Sequence, residues 1–275
     1  MNEITKIKSY LRNEQVRNTF MEVLGSNNTA AAYISSVIIA VGASEALQQC
    51  TPKSIAVSAL RAATLGLSVD PALGKAYLVP FKNEATLVVG YKGLIDLATR
   101  TGKYRYINVA PVYEGEIVEE DRITGSIKLT NRQGGRAKGL KVIGYIAAFE
   151  MTNGYSKAIY MSIEDIHEHA RRYSRIYSNP KSIWKTNPSV MERKTVLRAL
   201  LQTWGYLNPT DVAVMEQVEI DAGERPQPNA MYELPDDDEV EIVEEQHQPA
   251  SVEENLRMLG YDISEPTEVV SGRLI

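Results

Sequence analysis

Over the first 65 residues, apolar side chains recur every three or four positions. Ile4, Ile7 and Leu11 make one stripe, and Val16, Phe20, Val23 and Leu24 a second. That period predicts two amphipathic helices within Asn2–Leu24. Asn13 is placed to cap the second, and Gly25-Ser26-Asn27-Asn28 ends it. Thr29–Val41 predicts a small-residue helix suited to close packing. Thr51 and Pro52 open another, as N-cap and first-turn proline, with Ile55, Leu60, Ala63 and Leu67 on its buried side.

The pattern changes at Gly66. Leu67–Gly74 holds Asp70-Pro71 and reads as a turn region. Ala76–Phe81 and Ala85–Val89 are β-rich runs joined by Lys82-Asn83-Glu84, which predicts a hairpin. Gly90 releases the chain into a helix, Tyr91–Thr101, stopped by Gly102. Strands follow at Tyr106–Val112, Glu116–Glu119, Ser126–Leu129, Gly139–Glu150 and Tyr155–Met161. Ser162, with Asp165 three residues on, caps a further helix. Asn187 and Pro188 open a last one, which runs to Trp204 with Val190, Leu197, Leu201 and Trp204 as its core face and Trp204 buried. The expected fold is α+β: a helical N-terminal part packed on a β-hairpin–helix–antiparallel-sheet core.

From Ala222 the composition shifts. Pro226, Pro228, Pro235 and the acidic run Asp236–Glu245 describe a disordered tail over 222–275, with one short helix at 251–259. The expected domain therefore spans 1–221. The formal net charge of −5 conceals an asymmetry. Residues 216–275 carry 17 carboxylates and three arginines, which leaves 27 basic and 18 acidic residues in 1–215. The body is near +9 and the tail near −14, a division common among nucleic-acid binders. No apolar run has the length of a membrane span and no signal-peptide pattern opens the chain, so a cytoplasmic setting is expected. A lone cysteine, Cys50, fits a reducing compartment.

The candidate chemistry is basic and aromatic. Lys75, Lys82, Lys92, Arg100, Lys103 and Arg105 sit at element ends, with Tyr77, Tyr91, Tyr104 and Tyr106 between them. Cations hold phosphates and rings stack on bases, so this interleaving suits a single strand of nucleic acid. It equally suits an ordinary surface of snorkelling lysines and half-buried tyrosines. The link Thr130–Lys138 is a basic loop containing Arg136 and Lys138. Arg171, Arg172, Arg175, Lys181 and Lys185 surround Tyr173, Tyr177 and Trp184 in a second basic segment. Lys194 and Arg198 stand one turn apart on a helix face, with Arg193 beside them, as a pair suited to clamping a phosphate. Metal chemistry is not expected. His167 and His169 lie two apart and do not share a face, and the carboxylates of Glu114–Asp121 read as a solvated strand edge. No phosphate-loop GxxxxGK[ST] pattern occurs.

Three blocks carry a resemblance. Gly66-Leu67 with Ala72-Leu73-Gly74-Lys75-Ala76-Tyr77-Leu78-Val79-Pro80-Phe81 is the first. Gly90-Tyr91-Lys92-Gly93-Leu94-Ile95-Asp96-Leu97-Ala98, with Gly102 behind it, is the second. Trp184-Lys185-Thr186, Met191 and Lys194-Thr195-Val196-Leu197-Arg198 form the third. In this order and spacing, over about Ser54–Leu207, they resemble the RecT family of phage and prophage single-strand annealing recombinases. The chain departs from that pattern in a short hairpin connection, in Glu192, and in Gly205-Tyr206-Leu207-Asn208-Pro209 after the last helix.

The resemblance implies ATP-independent binding of single-stranded DNA and its annealing through a duplex intermediate, without bond chemistry or a cofactor. It also implies assembly into a ring or helical filament. Through the tail it implies a phage exonuclease and a host single-strand binding protein as partners. The expected DNA-facing residues are Lys92, Lys103, Arg105, Arg136, Lys138, Arg172, Lys185, Arg193, Lys194 and Arg198, with Tyr91 and Trp184 as stacking rings. A metal-dependent nuclease and a filament protein that binds no DNA are the competing readings.

Overall fold

The computed structural model describes residues 3–121, 123–131, 139–174, 176–180 and 182–221. The chain divides into two units, Met1–Gln227 and Pro228–Ile275, and every described residue belongs to the first. The tail, with the helix expected at 251–259, therefore lies outside the described residues.

The front of the chain is helical: α1 (Glu3–Leu11), α2 (Glu14–Leu24), α3 (Asn27–Gly42), α4 (Glu45–Gln48) and α5 (Pro52–Thr64). The local signals act as the sequence suggests. Asn13 accepts a hydrogen bond from the Gln15 amide, and Gly25 ends α2 with φ +77°. Thr51 caps α5 through the Ser54 amide. α3 starts two residues earlier than its apolar pattern suggests, because Ser26 caps it through the Thr29 amide. The four-residue α4 is too short to show a period.

Next come β1 (Ala76–Phe81), β2 (Glu84–Val89) and α6 (Tyr91–Arg100). The two strands pair antiparallel, with Phe81 opposite Glu84, so the turn is only Lys82-Asn83. α5 is bonded directly to this hairpin. The Ser54 hydroxyl accepts from the Ala85 amide at 2.9 Å, and the buried Ser58 hydroxyl donates to the Ala85 carbonyl at 2.8 Å. Ile55, Ala59, Leu87, Leu94 and Leu97 belong to one continuous core, so the helical front and the hairpin unit are one packed body.

The second sheet is antiparallel, in the order β3 (Tyr104–Tyr113), β6 (Val142–Met151), β7 (Ser156–Ser162). The hairpin of β4 (Ile117–Asp121) and β5 (Ser126–Thr130) is inserted between β3 and β6. Its acids line a solvated edge, with Glu119, Glu120 and Asp121 exposed. Amides of Ile123 and Thr124 hold the Asp121 carboxylate as a turn acceptor, and these bonds lower its pKa.

α7 (Ile163–Tyr173), α8 (Ile183–Thr186), α9 (Pro188–Trp204) and α10 (Pro209–Asp221) complete the body. Ser162 and Asp165 form a full capping box at the start of α7. α9 packs against β6, β7, β3, α6, α7 and α8, which makes it the central helix of this half. No helix among the described residues is long and apolar enough to cross a membrane.

Candidate nucleic-acid interface

Because α9 is covered on several sides, its buried set is wider than a single stripe. Met191, Val196, Leu197, Leu200 and Leu201 are buried apolar positions, and Glu192, Lys194 and Thr195 are buried polar ones. A buried carboxylate must be paired or protonated. Glu192 accepts the Tyr145 hydroxyl at 2.8 Å and faces His167 Nε2 at 3.3 Å. The Tyr177 hydroxyl meets His167 Nδ1 at 3.1 Å. Burial, reinforced by Glu192, pushes the Tyr145 phenol well above its usual range. Arg193 is half-buried, with its guanidinium over the Tyr145 ring.

Three sequence-predicted residues meet in one small pocket between α7, α8 and α9: Trp184, Lys194 and Arg198 line it with His169 and Tyr173. Their settings differ from the expectation of an open cationic face. Lys194 is only 5% exposed. Arg198 donates to the buried Glu219 of α10 at 2.6 Å. Trp184 is 4% exposed, donates its indole N–H to Ser174 Oγ, and packs edge-on against Tyr177. Its ring belongs to the hydrophobic core. Lys185, by contrast, is exposed with its ammonium over Tyr177, and exposed Arg172 lies over Tyr173.

A second group forms where α9 ends beside the start of β3 and β7. Lys103 Nζ lies 4.4 Å from the Tyr206 ring centre. The Tyr104 hydroxyl donates to the Tyr206 carbonyl and accepts from its amide, which fixes the chain after α9. Lys157 Nζ lies 5.0 Å from the Trp204 ring centre. The expected burial of Trp204 is corrected here: it is 37% exposed, because α9 outruns its cover in its last turn. Arg105 is exposed and paired with Glu150.

The third group surrounds α6. Lys92 is exposed at its start, while Tyr91 packs against the core. Lys75 and Arg100 are structural. Arg100 donates to the Leu65 and Gly66 carbonyls at the end of α5 and, with Lys75, to the Asp96 carboxylate. Burial raises the Asp96 pKa, but the Arg100 and Lys75 hydrogen bonds outweigh it and the net shift is downward. A depressed folded-state value stabilises above the unfolded value of about 3.9, and the contribution fades as pH falls through the folded-state value. Asp96→Asn is therefore expected to lower the melting temperature at pH 7 and to leave it unchanged near pH 2, checked by thermal unfolding across pH.

Arg136, Lys138, Arg175 and Lys181 lie outside the described residues. Among the described residues, no group of three or more His, Cys, Asp or Glu side chains is placed to hold a metal. Sequence reasoning missed the Tyr145–Glu192–His167 network, Lys157 and the Glu219 partner of Arg198. Glu192, a departure from the family pattern within the third block, was the available signal for the first; the others depend on pairings distant in sequence.

A model of the RecT family matches residues 31–229. An uncharacterized protein, YqaK of Bacillus subtilis (strain 168), is 36% identical over 214 residues, covering 78% of this chain and 72% of the relative. Protein RecT of Escherichia coli (strain K12) is 28% identical over 224 residues, covering 78% and 80%. With the family match spanning well over half its length, the chain belongs to the RecT family.

Proposed function

We propose that this protein binds single-stranded DNA and anneals it to a complementary strand without ATP, as a recombinase acting in the cytoplasm of a bacterium. Family membership supports DNA binding and strand annealing in general. The observation that carries the finer reading is the repeated pairing of a cation with an aromatic ring on one body: Lys103 with Tyr206, Lys157 with Trp204, Lys185 with Tyr177 and Arg172 with Tyr173. Such pairs suit a ligand that alternates anionic phosphates with flat bases.

Free strands pair slowly because they coil and repel. A protein that neutralises phosphates and aligns bases removes both obstacles, and base pairing then supplies the driving force. Contacts to the backbone carry no sequence information, so sequence preference is low. Several copies along one strand, as a ring or a helical filament, would extend the aligned stretch. The acidic tail has the wrong sign to hold DNA and is assigned to partner docking, with an exonuclease and a single-strand binding protein as its targets.

The test is annealing of two complementary labelled oligonucleotides. The expected result is acceleration without nucleotide, without cleavage in magnesium, and weaker binding as salt rises. A chain ending at Ala222 should anneal as the full chain does. Absence of acceleration with either chain refutes the reading, and magnesium-dependent cleavage would establish the nuclease instead.

A further inference from the structure

We propose that Trp204 and Tyr206 form a base-stacking platform for single-stranded DNA, with Lys157 and Lys103 as its phosphate contacts. The proposal rests on the single-strand-binding reading above and adds a site to it.

Three observations converge. Large aromatic side chains are normally drawn into cores, yet Trp204 and Tyr206 are each 37% exposed while Leu201, one turn back, is buried. The platform is also held in advance. Gly205, between the two residues in sequence, sits so tightly on α9 that an added Cβ would lie 2.7 Å from the Leu201 carbonyl oxygen. The Tyr206 backbone is pinned through both its amide and its carbonyl to the Tyr104 hydroxyl. A backbone fixed in advance has no conformational entropy left to lose when a ligand stacks on its side chain.

Charge then selects the ligand. Each ring carries a lysine ammonium, Nζ of Lys157 at 5.0 Å from Trp204 and Nζ of Lys103 at 4.4 Å from Tyr206. An apolar protein partner has no use for an ammonium over one face of each ring. A nucleotide presents a π face and an anion together, so a base stacked on either ring brings its phosphate toward an ammonium. Glu150 on the neighbouring strand β6 is neutralised by Arg105. A duplex buries its base faces, so the platform discriminates for single strands.

The chain has two tryptophans, both of which emit; Trp184 is buried, so the platform is reported by the change in emission on adding DNA that depends on Trp204. The probe is an unlabelled thymidine oligonucleotide added to the full-length protein. Expected is substantial quenching in the parent, absent in Trp204→Phe, which retains an aromatic ring at an exposed position. Trp204→Ala combined with Tyr206→Ala should weaken oligonucleotide binding roughly tenfold or more, read by anisotropy of a labelled strand. Binding by anisotropy with unchanged tryptophan emission overturns the platform and leaves the annealing reading intact. No binding of the parent at all overturns both. Equal quenching by a fully paired duplex also overturns the platform.

Discussion

Gly93→Ala is expected to destabilise the body by about 3 kcal/mol, lowering the melting temperature by roughly 10 °C. Helix propensity alone points the other way, since alanine inside a helix is favoured over glycine by about 1 kcal/mol. Packing decides the sign. A Cβ at Gly93 would collide with the Lys75 carbonyl oxygen and lie 3.0 Å from Val89 Cγ1. That carbonyl cannot simply move away, because it accepts the Gly90 amide at 2.9 Å. Gly90 itself approaches the Gly74 carbonyl so closely that its added Cβ would stand 2.5 Å away. The two glycines let α6 lie against the turn before β1, and this contact sets where Lys92 stands. Gly102→Ala is the control. It has φ +69° and nothing within 4 Å of its added Cβ, so only the left-handed backbone resists and the cost is about 1 kcal/mol. Calorimetry of the two variants checks the ordering; equal melting temperatures would show that the Lys75 turn gives way.

Much of the fold was legible because its signals are local. Asn13, Thr51 and Ser162 each bond an amide two or three residues away, and such partners can be read from spacing. The hairpin, α6 and the strands of the second sheet follow from the same kind of pattern. What the sequence left closed is which element covers which face. Lys194 and Arg198 do share a helix face, as their spacing requires, but the spacing is silent about α10, which supplies Glu219 to Arg198. The acids of α10 blend into the acidic stretch behind it, so the helix itself passes unnoticed in a charge reading. The two tryptophans exchange roles for a similar reason. Trp204 completes a regular apolar stripe with Leu197 and Leu201 yet emerges where α9 outruns its neighbours. Trp184 sits in a basic segment with no period, yet is buried by Tyr177 and Ser174.

Arg198→Met is expected to cost about 3–5 kcal/mol, because it leaves the Glu219 carboxylate, 5% exposed, without its guanidinium. The loss comes mainly from a buried charge left with neutral donors such as the Gln202 amide, since a surface ion pair of similar geometry contributes about 1 kcal/mol at most. Removing both members should therefore recover most of the stability, as apolar replacements of buried pairs often do. The Arg198→Met, Glu219→Met double variant thus separates structure from DNA contact, which the single variant confounds. If Arg198 leaves Glu219 to hold a phosphate, the double variant folds near the parent's melting temperature, binds oligonucleotide more weakly, and loses about one unit of salt slope. Glu219→Gln alone then acts in the opposite direction: a neutral amide competes less for the guanidinium, and DNA affinity rises. A carboxylate in that position mimics the phosphate it would yield to, so affinity and stability fall together in Arg198→Met and part company in the double variant and in Glu219→Gln. If the double variant binds with the parent's affinity and salt slope, Arg198 is a structural residue, and the phosphate contacts belong to exposed cations such as Lys92, Lys103 and Lys185.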